Sequence, residues 1–176
     1  PMELDEHYQS IVRESERLTW LVDNVLDYAS IERGATHYLL RPINIHDTVL
    51  RVIESLVATV SMRDAVIETD LRLENPILEH DTDAISQCLI NLLSNAIKYS
   101  KAQKWVLVTV RNSLDGVEIV VTDKGIGIET QDLQMIFQPF YRTTQGRNRK
   151  GTGIGLSITK HIMHAHGGRV SVQSQI

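Results

Sequence analysis

Apolar residues recur at alternating steps of four and three through the first 33 positions: Leu4, Tyr8, Ile11, Leu18, Val22, Val25 and Ala29, with Ser15 in the same register. This seam predicts one long helix over residues 3 to about 33. Leu21, Leu26 and Ile31 widen the stripe into a face suited to a helix bundle, while Glu14, Arg17 and Asp23 sit off it. Gly34 is a natural stop. A lone helix cannot bury such a face, so a partner helix is expected, from elsewhere in a longer protein or from a second copy. The alternative is an ordinary core helix packed on its own domain.

The pattern then shortens. Residues 38–42 read as an extended edge piece, because Pro42 has no N–H for a ladder. Asn44 or His46 opens a helix to about Met62, with Val49, Val52, Ile53, Leu56, Val57 and Val60 as its buried face. Alternation over 65–73 (Val66, Ile67, Thr69, Leu71, Leu73) predicts a strand, and 76–79 a second, shorter one. Asp81 is a good N-cap for a helix over 82–99, whose core stripe is Ile85, Leu89, Leu92, Leu93, Ala96 and Ile97. Two strands rich in β-branched residues follow at 104–111 and 117–122, turned by Leu114-Asp115-Gly116. A short helix is expected at 129–136, a mobile loop at 141–152, a helix at 153–165 and a last strand from near Arg169. The order predicts an α+β fold: a two-layer sandwich, a mixed sheet with helices on one face, preceded by the long N-terminal helix.

Composition narrows the classes. With 176 residues there is room for one domain and an appendage. An apolar share of 42% and a charged share of 23% suit a soluble globular chain. A net charge of -4 without a long basic tract argues against nucleic acid as a partner. No apolar run approaches the ~20 residues of a membrane span, and no signal-peptide pattern occurs. Cys88, the lone cysteine, excludes an internal disulfide and fits a reducing compartment. Pro1 ahead of Met2, and Ile176 inside an alternating run, read as cut ends of a longer protein.

Candidate chemistry gathers between residues 87 and 156. Asn91, Asn95 and Lys98 share one helix face, which Gln87 extends by a turn. An amide oxygen suits a hard cation such as Mg²⁺, and the lysine suits phosphate. A solvated polar face is the plainer reading. Asp123 ends an apolar strand, where its carboxylate could accept from an exocyclic amine such as that of adenine. Gly125 and Gly127 then allow close backbone approach to a flat ring, or simply a tight turn. Gly151-Thr152-Gly153-Ile154-Gly155 precedes a helix, where exposed N–H groups and the helix dipole favour an anion. The spacing is neither the dinucleotide fingerprint nor a P-loop. Arg142, Arg147, Arg149 and Lys150 lie in the preceding loop, able to close over a triphosphate or to be merely solvated. His161, His164 and His166 read as structural rather than metal-binding.

Taken in order, these stretches resemble the ATP-binding catalytic domain of bacterial two-component sensor histidine kinases, a Bergerat fold shared with gyrase, the ninety-kilodalton heat-shock chaperone and mismatch-repair ATPases. Residues 91–100 resemble the N box, 123–128 the G1 box, 137–142 the F box and 151–156 the G2 box; His166-Gly167-Gly168-Arg169-Val170 resembles the last helix-to-strand corner. Residues 18–34 resemble the second helix of the dimerisation and phosphotransfer hairpin. The likeness implies a hairpin part over 1–34 and a catalytic domain over 35–176. It implies ATP and Mg²⁺ as cofactors, with Asn95 on the metal, Asn91 near the phosphates, and Lys98 and Tyr99 on phosphate, ribose or lid. By the same likeness Asp123 takes the adenine amine, backed by Gly125, Gly127 and Ile128. Phe140, Gly151, Thr152, Gly153, Ile154, Gly155 and Leu156 line the nucleotide, and Arg142 reaches the γ-phosphate. Asn91, Lys98 and Arg142 are the implied catalytic residues.

The implied activity is γ-phosphate transfer to a histidine of the hairpin, for onward signalling to a response regulator receiver domain. A second copy is expected through the N-terminal helix. The location is cytoplasmic, with any inner-membrane anchor in upstream regions. Two departures matter. The family's acceptor motif, a His followed by an acidic residue, Leu and Arg, is absent: His7 precedes Tyr8. The chain is thus expected to lack its own acceptor, and also the family's last strand beyond Ile176. Where the superfamily's hydrolases carry a water-activating Glu, Asn91 stands, and an amide is no base at neutral pH. The alternatives are a non-catalytic ATP-binding and dimerisation module, and a superfamily ATPase, which Asn91 disfavours.

Overall fold

The computed structural model describes residues 8, 12, 15, 18, 19, 22, 25, 26, 28–31, 33, 34, 36–58, 65–101, 103–114, 116–146, 149 and 151–176. The chain divides into two compact units, residues 1–37 and 38–176. In the first, the described residues from Tyr8 to Ile31 are helical. Tyr8, Leu18, Val22 and Val25 of the seam, and Leu26 of the wider stripe, are exposed. Leu4, Ile11 and Leu21 lie outside the described residues. Gly34 stops the chain with φ +64°, its N–H donating to Ile31 O at 2.9 Å.

The second unit runs β1 (Arg41–Asn44), α1 (Ile45–Ala58), β2 (Ala65–Leu71), β3 (Ile77–His80), α2 (Thr82–Tyr99), β4 (Lys104–Ser113), β5 (Gly116–Asp123) and α3 (Gly155–Ala165). It is an α+β fold. The mixed sheet is β2-β4-β5: β2 lies parallel to β4 (Ala65 opposite Lys104), and β4 antiparallel to β5 (Val106 opposite Asp123). β1 and β3 do not join it; they form their own antiparallel pair, Arg41 opposite His80. Four-residue β1 carries Pro42, whose missing N–H leaves one edge short of a donor.

Two further expectations change. Residues 129–136 form successive turns, not a helix. Asp132 N, Met135 N and Gln138 N each donate three residues back, to Glu129, Asp132 and Met135. Ile136 is the segment's one buried residue, so no continuous apolar face rewards a helix. The run from Arg169 joins no ladder. It lies along the glycine loop instead, where Ile128 N–H donates to Ser174 Oγ at 2.9 Å. In α1, Asn44 is the opener, its Oδ1 accepting from His46 N at 2.9 Å. Val57 is exposed and Ile53 half-buried, while Val60 lies outside the described residues.

α2 is the spine, lying against α1, α3, β4 and β5. Its stripe of Ile85, Leu89, Leu93, Ala96 and Ile97 is buried, and β4 turns the fully buried Val106, Val108 and Val110 inward. Val49 of α1 and Ile158 and Ile162 of α3 complete the core. Burying each such side chain favours folding by about 1.5–3 kcal/mol. Asp81 caps α2 as expected, Oδ1 accepting from Asp83 N and Ala84 N at 3.1 Å each.

Candidate nucleotide site

A helix ends with four carbonyls that have no partner within it. In α2 each finds a donor. Ser100 Oγ donates to Ala96 O at 2.7 Å and Ser100 N to Ile97 O at 3.4 Å. Arg149 Nη1 donates to Lys98 O, and Ile126 N to Tyr99 O at 3.1 Å. The last two donors belong to the two glycine-bearing stretches that the sequence singles out. The end of α2 therefore gathers both.

The first stretch leaves β5 at Asp123. That carboxylate is exposed, with Oδ1 accepting from Gly125 N at 2.7 Å. A Cβ on Gly125 would lie 2.6 Å from Asp123 Oδ1 and 2.9 Å from Tyr99 O, so the fit to α2 requires glycine. Gly127 has φ +78°, and a Cβ there would strike the Gln175 carbonyl. Ile128 follows, held to Ser174.

The second stretch begins at Phe140, which is 62% exposed with φ +63°, a strained conformation for a bulky residue. Phe140 N donates to Gly153 O at 3.0 Å, and a Cβ on Gly153 would lie 2.8 Å from Tyr141 O. Tyr141 donates its hydroxyl to Asp132 at 2.6 Å. Arg142 donates to Gly146 O at 2.7 Å and to Arg149 O. The predicted phosphate-binding guanidinium is thus engaged within its own loop. Arg147 and Lys150 lie outside the described residues. Ile154 is fully buried, its N–H donating to Thr152 Oγ1 at 3.3 Å, and it precedes α3 without giving it a side-chain cap.

Asn91 joins the two helices. It is only 3% exposed, and Nδ2 donates to Gly155 O at 3.2 Å. A Cβ on Gly155 would lie 3.1 Å from Asn91 Oδ1. Lys98 Nζ stands 4.7 Å from the Tyr99 ring centroid, and the missing Cβ of Gly151 would be 2.5 Å from it. Arg149 is 5.7 Å from the same ring. Asn95 and Leu156 are half-buried. Asn91 is thus brought to Gly155, and Lys98 to Tyr99 and Gly151; Gly125, carrying Asp123, is strapped to the end of α2 through Ile126, while Gly127 and Ile128 lie against residues 174–176. The sequence pattern assigns no role to Ser100, Thr159, Tyr141 or Ser174. Only Ser100, placed directly after a helical stripe, carries a readable signal, that of a helix stop.

The residues fit a nucleotide. The uncapped start of α3, with Gly151 and Gly153 ahead of it, offers N–H groups to an anion, and Lys98 lies against that loop. No cluster of three His, Cys, Asp or Glu exists among the described residues, so Mg²⁺ would be held by few protein ligands, with half-buried Asn95 able to offer a hard amide oxygen. A metal here would share Asn95 with phosphate oxygens and water.

Residues 80–176 match the histidine kinase-, DNA gyrase B- and HSP90-like ATPases, and the chain belongs to that family. Its ATP-binding domain is of the sensor histidine kinase kind. The chain is 31% identical over 175 residues to the circadian input-output histidine kinase CikA of Synechococcus elongatus, covering 97% of this chain and 23% of that protein. It is 35% identical over 177 residues to the sensor histidine kinase YkoH of Bacillus subtilis, covering 99% of this chain and 38% of YkoH. The crystal structure of full-length ShkA in complex with AMPPNP superposes with a TM-score of 0.77 at 27% identity, over 96% of this chain and 36% of ShkA. The chain spans well under half the length of these relatives.

Proposed function

We propose that this chain binds Mg·ATP and presents the γ-phosphate to a histidine of a dimerisation hairpin, as the catalytic part of a sensor histidine kinase that signals to a response regulator receiver domain. In this reading residues 35–176 are the catalytic domain, and 1–34 supply the hairpin's second helix and the contact with a second copy. In this reading these residues work in the cytoplasm, and any inner-membrane anchor of the parent protein lies in other regions. Among the described residues no helix is long and apolar enough to cross a membrane. The observation that carries the reading is the junction of Asn91 with Gly155 and of Lys98 with Gly151, which unites the amide face of α2 with the glycine loop.

Bound ATP supplies an activated terminal phosphoryl group, and the protein's contribution is positioning and charge. Asp123 orients the adenine amine, and Gly125, Gly127 and Ile128 back the ring. Asn95 takes a metal position. Lys98 neutralises phosphate charge, with Tyr99 beneath it. The N–H groups of Gly153, Gly155 and Leu156 receive the phosphate oxygens, Thr152 and Phe140 shaping the approach. Arg142 must first release Gly146 O and Arg149 O to reach the γ-phosphate. Asn91 stands where a hydrolase needs a base. It is buried, and its nitrogen is committed to Gly155 O, which favours transfer over hydrolysis.

The test joins the parent's complete hairpin to this chain and follows labelled-ATP transfer. An acid-labile phosphohistidine is the expected product. Nucleotide binding without any phosphohistidine would favour a non-catalytic ATP-binding module. Steady hydrolysis by the chain alone, lost on changing Asn91, would favour a superfamily ATPase.

A further inference from the structure

One histidine ties α2 to α3 from the end remote from the glycine loops. The two helices lie antiparallel, and three polar contacts step along their seam. Asn91 Nδ2 meets Gly155 O at 3.2 Å, Cys88 Sγ meets Thr159 O at 4.0 Å, and Asp81 N meets His166 Nε2 at 3.1 Å. Moving down α2 by three and then seven residues is matched by moving up α3 by four and then seven, so all three rungs specify one register.

The His166 rung accepts a single protonation state. Nδ1 lies 2.8 Å from Ile162 O, which only accepts, so Nδ1 carries the proton. Nε2 faces the Asp81 N–H, which only donates, so Nε2 is bare. Both partners are backbone groups and cannot exchange roles. By contrast, buried His80 meets the Thr48 hydroxyl at 3.0 Å, which can rotate to serve either state. The ionisable groups set against His166 are the Asp81 carboxyl at the start of α2 and Tyr38, whose ring centroid is 5.4 Å away; His161 stands 6.3 Å from that same Tyr38. Burial alone would raise the Asp81 carboxyl, but N–H donors from Leu39, Ala84 and Asp83, with His166 nearby, hold it below its usual value. An imidazolium would therefore find a carboxylate beside it and a repelling N–H in front of Nε2.

We propose that His166 is a positioning residue for the nucleotide site: neutral, it holds the remote end of the α2–α3 seam in register, and protonation of Nε2 breaks that rung, loosens the seam and weakens nucleotide binding. The proposal rests on the nucleotide-binding reading above. Histidine is the side chain suited to such a change between about pH 5 and 8.

The test titrates the full chain with AMPPNP and magnesium by calorimetry, comparing wild type, His166→Gln and His166→Leu at matched pH. Glutamine can accept from Asp81 N–H and does not titrate. At about pH 7.5 His166→Gln should bind like wild type, and His166→Leu about fivefold more weakly, the worth of one hydrogen bond. Between about pH 7.5 and 5.5 wild type should lose about fivefold more affinity than His166→Gln, a comparison that cancels protonation of the nucleotide itself. Identical pH profiles overturn the proposal, as do nitrogen-15 spectra that place the neutral ring's proton on Nε2. If His166→Leu does not fold, the glutamine comparison decides alone. If wild type binds no AMPPNP at any pH, the nucleotide reading fails instead. The ring spectra and the pH dependence of urea unfolding, wild type against His166→Gln, then still show whether the rung exists.

Discussion

Asn91→Asp replaces a donor by an acceptor at a buried junction. The wild-type amide is 3% exposed and gives its N–H to Gly155 O at 3.2 Å. An ionised carboxylate there loses that bond, worth about 1 kcal/mol, and sets an unpaired charge against a carbonyl, a further cost of about 1–3 kcal/mol. The expected destabilisation is about 2–4 kcal/mol at pH 8, or roughly 5–15 °C in Tm for a chain of this size. The sign with pH follows from linkage. Burial raises the new carboxyl above the unfolded value of about 3.9, so the penalty is absent below that value, where both states are protonated. It grows as pH rises and levels off above the raised folded value. A cost of about 1.4 kcal/mol moves the carboxyl's titration up by about one pH unit, so the penalty should saturate within about three pH units, near pH 6–7. Urea unfolding of wild type and Asn91→Asp from about pH 5 to 8 measures it. Equal stability of the two proteins, within about 0.5 kcal/mol at every pH, would refute the junction.

Other outcomes follow from the same geometry. Asp123→Asn keeps an oxygen for Gly125 N–H, so the loop should survive while adenine-nucleotide affinity falls more than about tenfold, as befits a lost charged hydrogen bond of roughly 1.5–3 kcal/mol; calorimetry showing unchanged affinity removes Asp123 from the site. Asn95→Ala should weaken Mg²⁺-dependent binding more than binding in chelator, and equal losses in both would end its role as a metal ligand. Cys88 is buried, and burial pushes its thiol up to about 12 despite the contact with Thr159. It should resist thiol reagents at pH 8 until urea unfolds the chain; fast labelling of the folded protein would contradict the packing of α2 on α3.

How much of this is legible beforehand depends on whether a feature is local. The run from Asp81 to Tyr99 declares itself through a cap residue and a stripe at helical period, and α2 has those bounds. β4 and β5 declare themselves by β-branched alternation and a glycine turn. Residues 129–136 mislead because a few apolar side chains in a short segment satisfy either period, and burial of Ile136 alone does not demand a helix. The separation of β1 and β3 from the other strands is a matter of pairing, which no single strand encodes. Glycines mark where the backbone comes close, but not to what. The approach of Gly125 to Tyr99 O and of Gly155 to Asn91 needs two distant stretches at once. Arg149 is visible only as one cation among several until its partner, the Lys98 carbonyl, is seen.

That last contact bears on why the site forms where it does. The C-terminus of a helix carries partial negative charge, an unfavourable neighbour for a polyphosphate. Here the carbonyls responsible are occupied: Ser100 takes two, Ile126 N–H a third and the Arg149 guanidinium the fourth. Lys98 and Arg149 add positive charge on either side of Tyr99 in sequence and against its ring in space. The helix end is thereby turned from an anion-repelling surface into a cationic one, and two of the four donors, the Ile126 N–H and the Arg149 guanidinium, also hold the two glycine stretches in place. Assembly of the loops and preparation of the electrostatics are one event. Loss of the Arg149 contact should accordingly loosen the loop and expose the Lys98 carbonyl together, so a defect there should appear in nucleotide affinity and in its salt dependence, with little change in the stability of the core built on Val106, Val108 and Leu93.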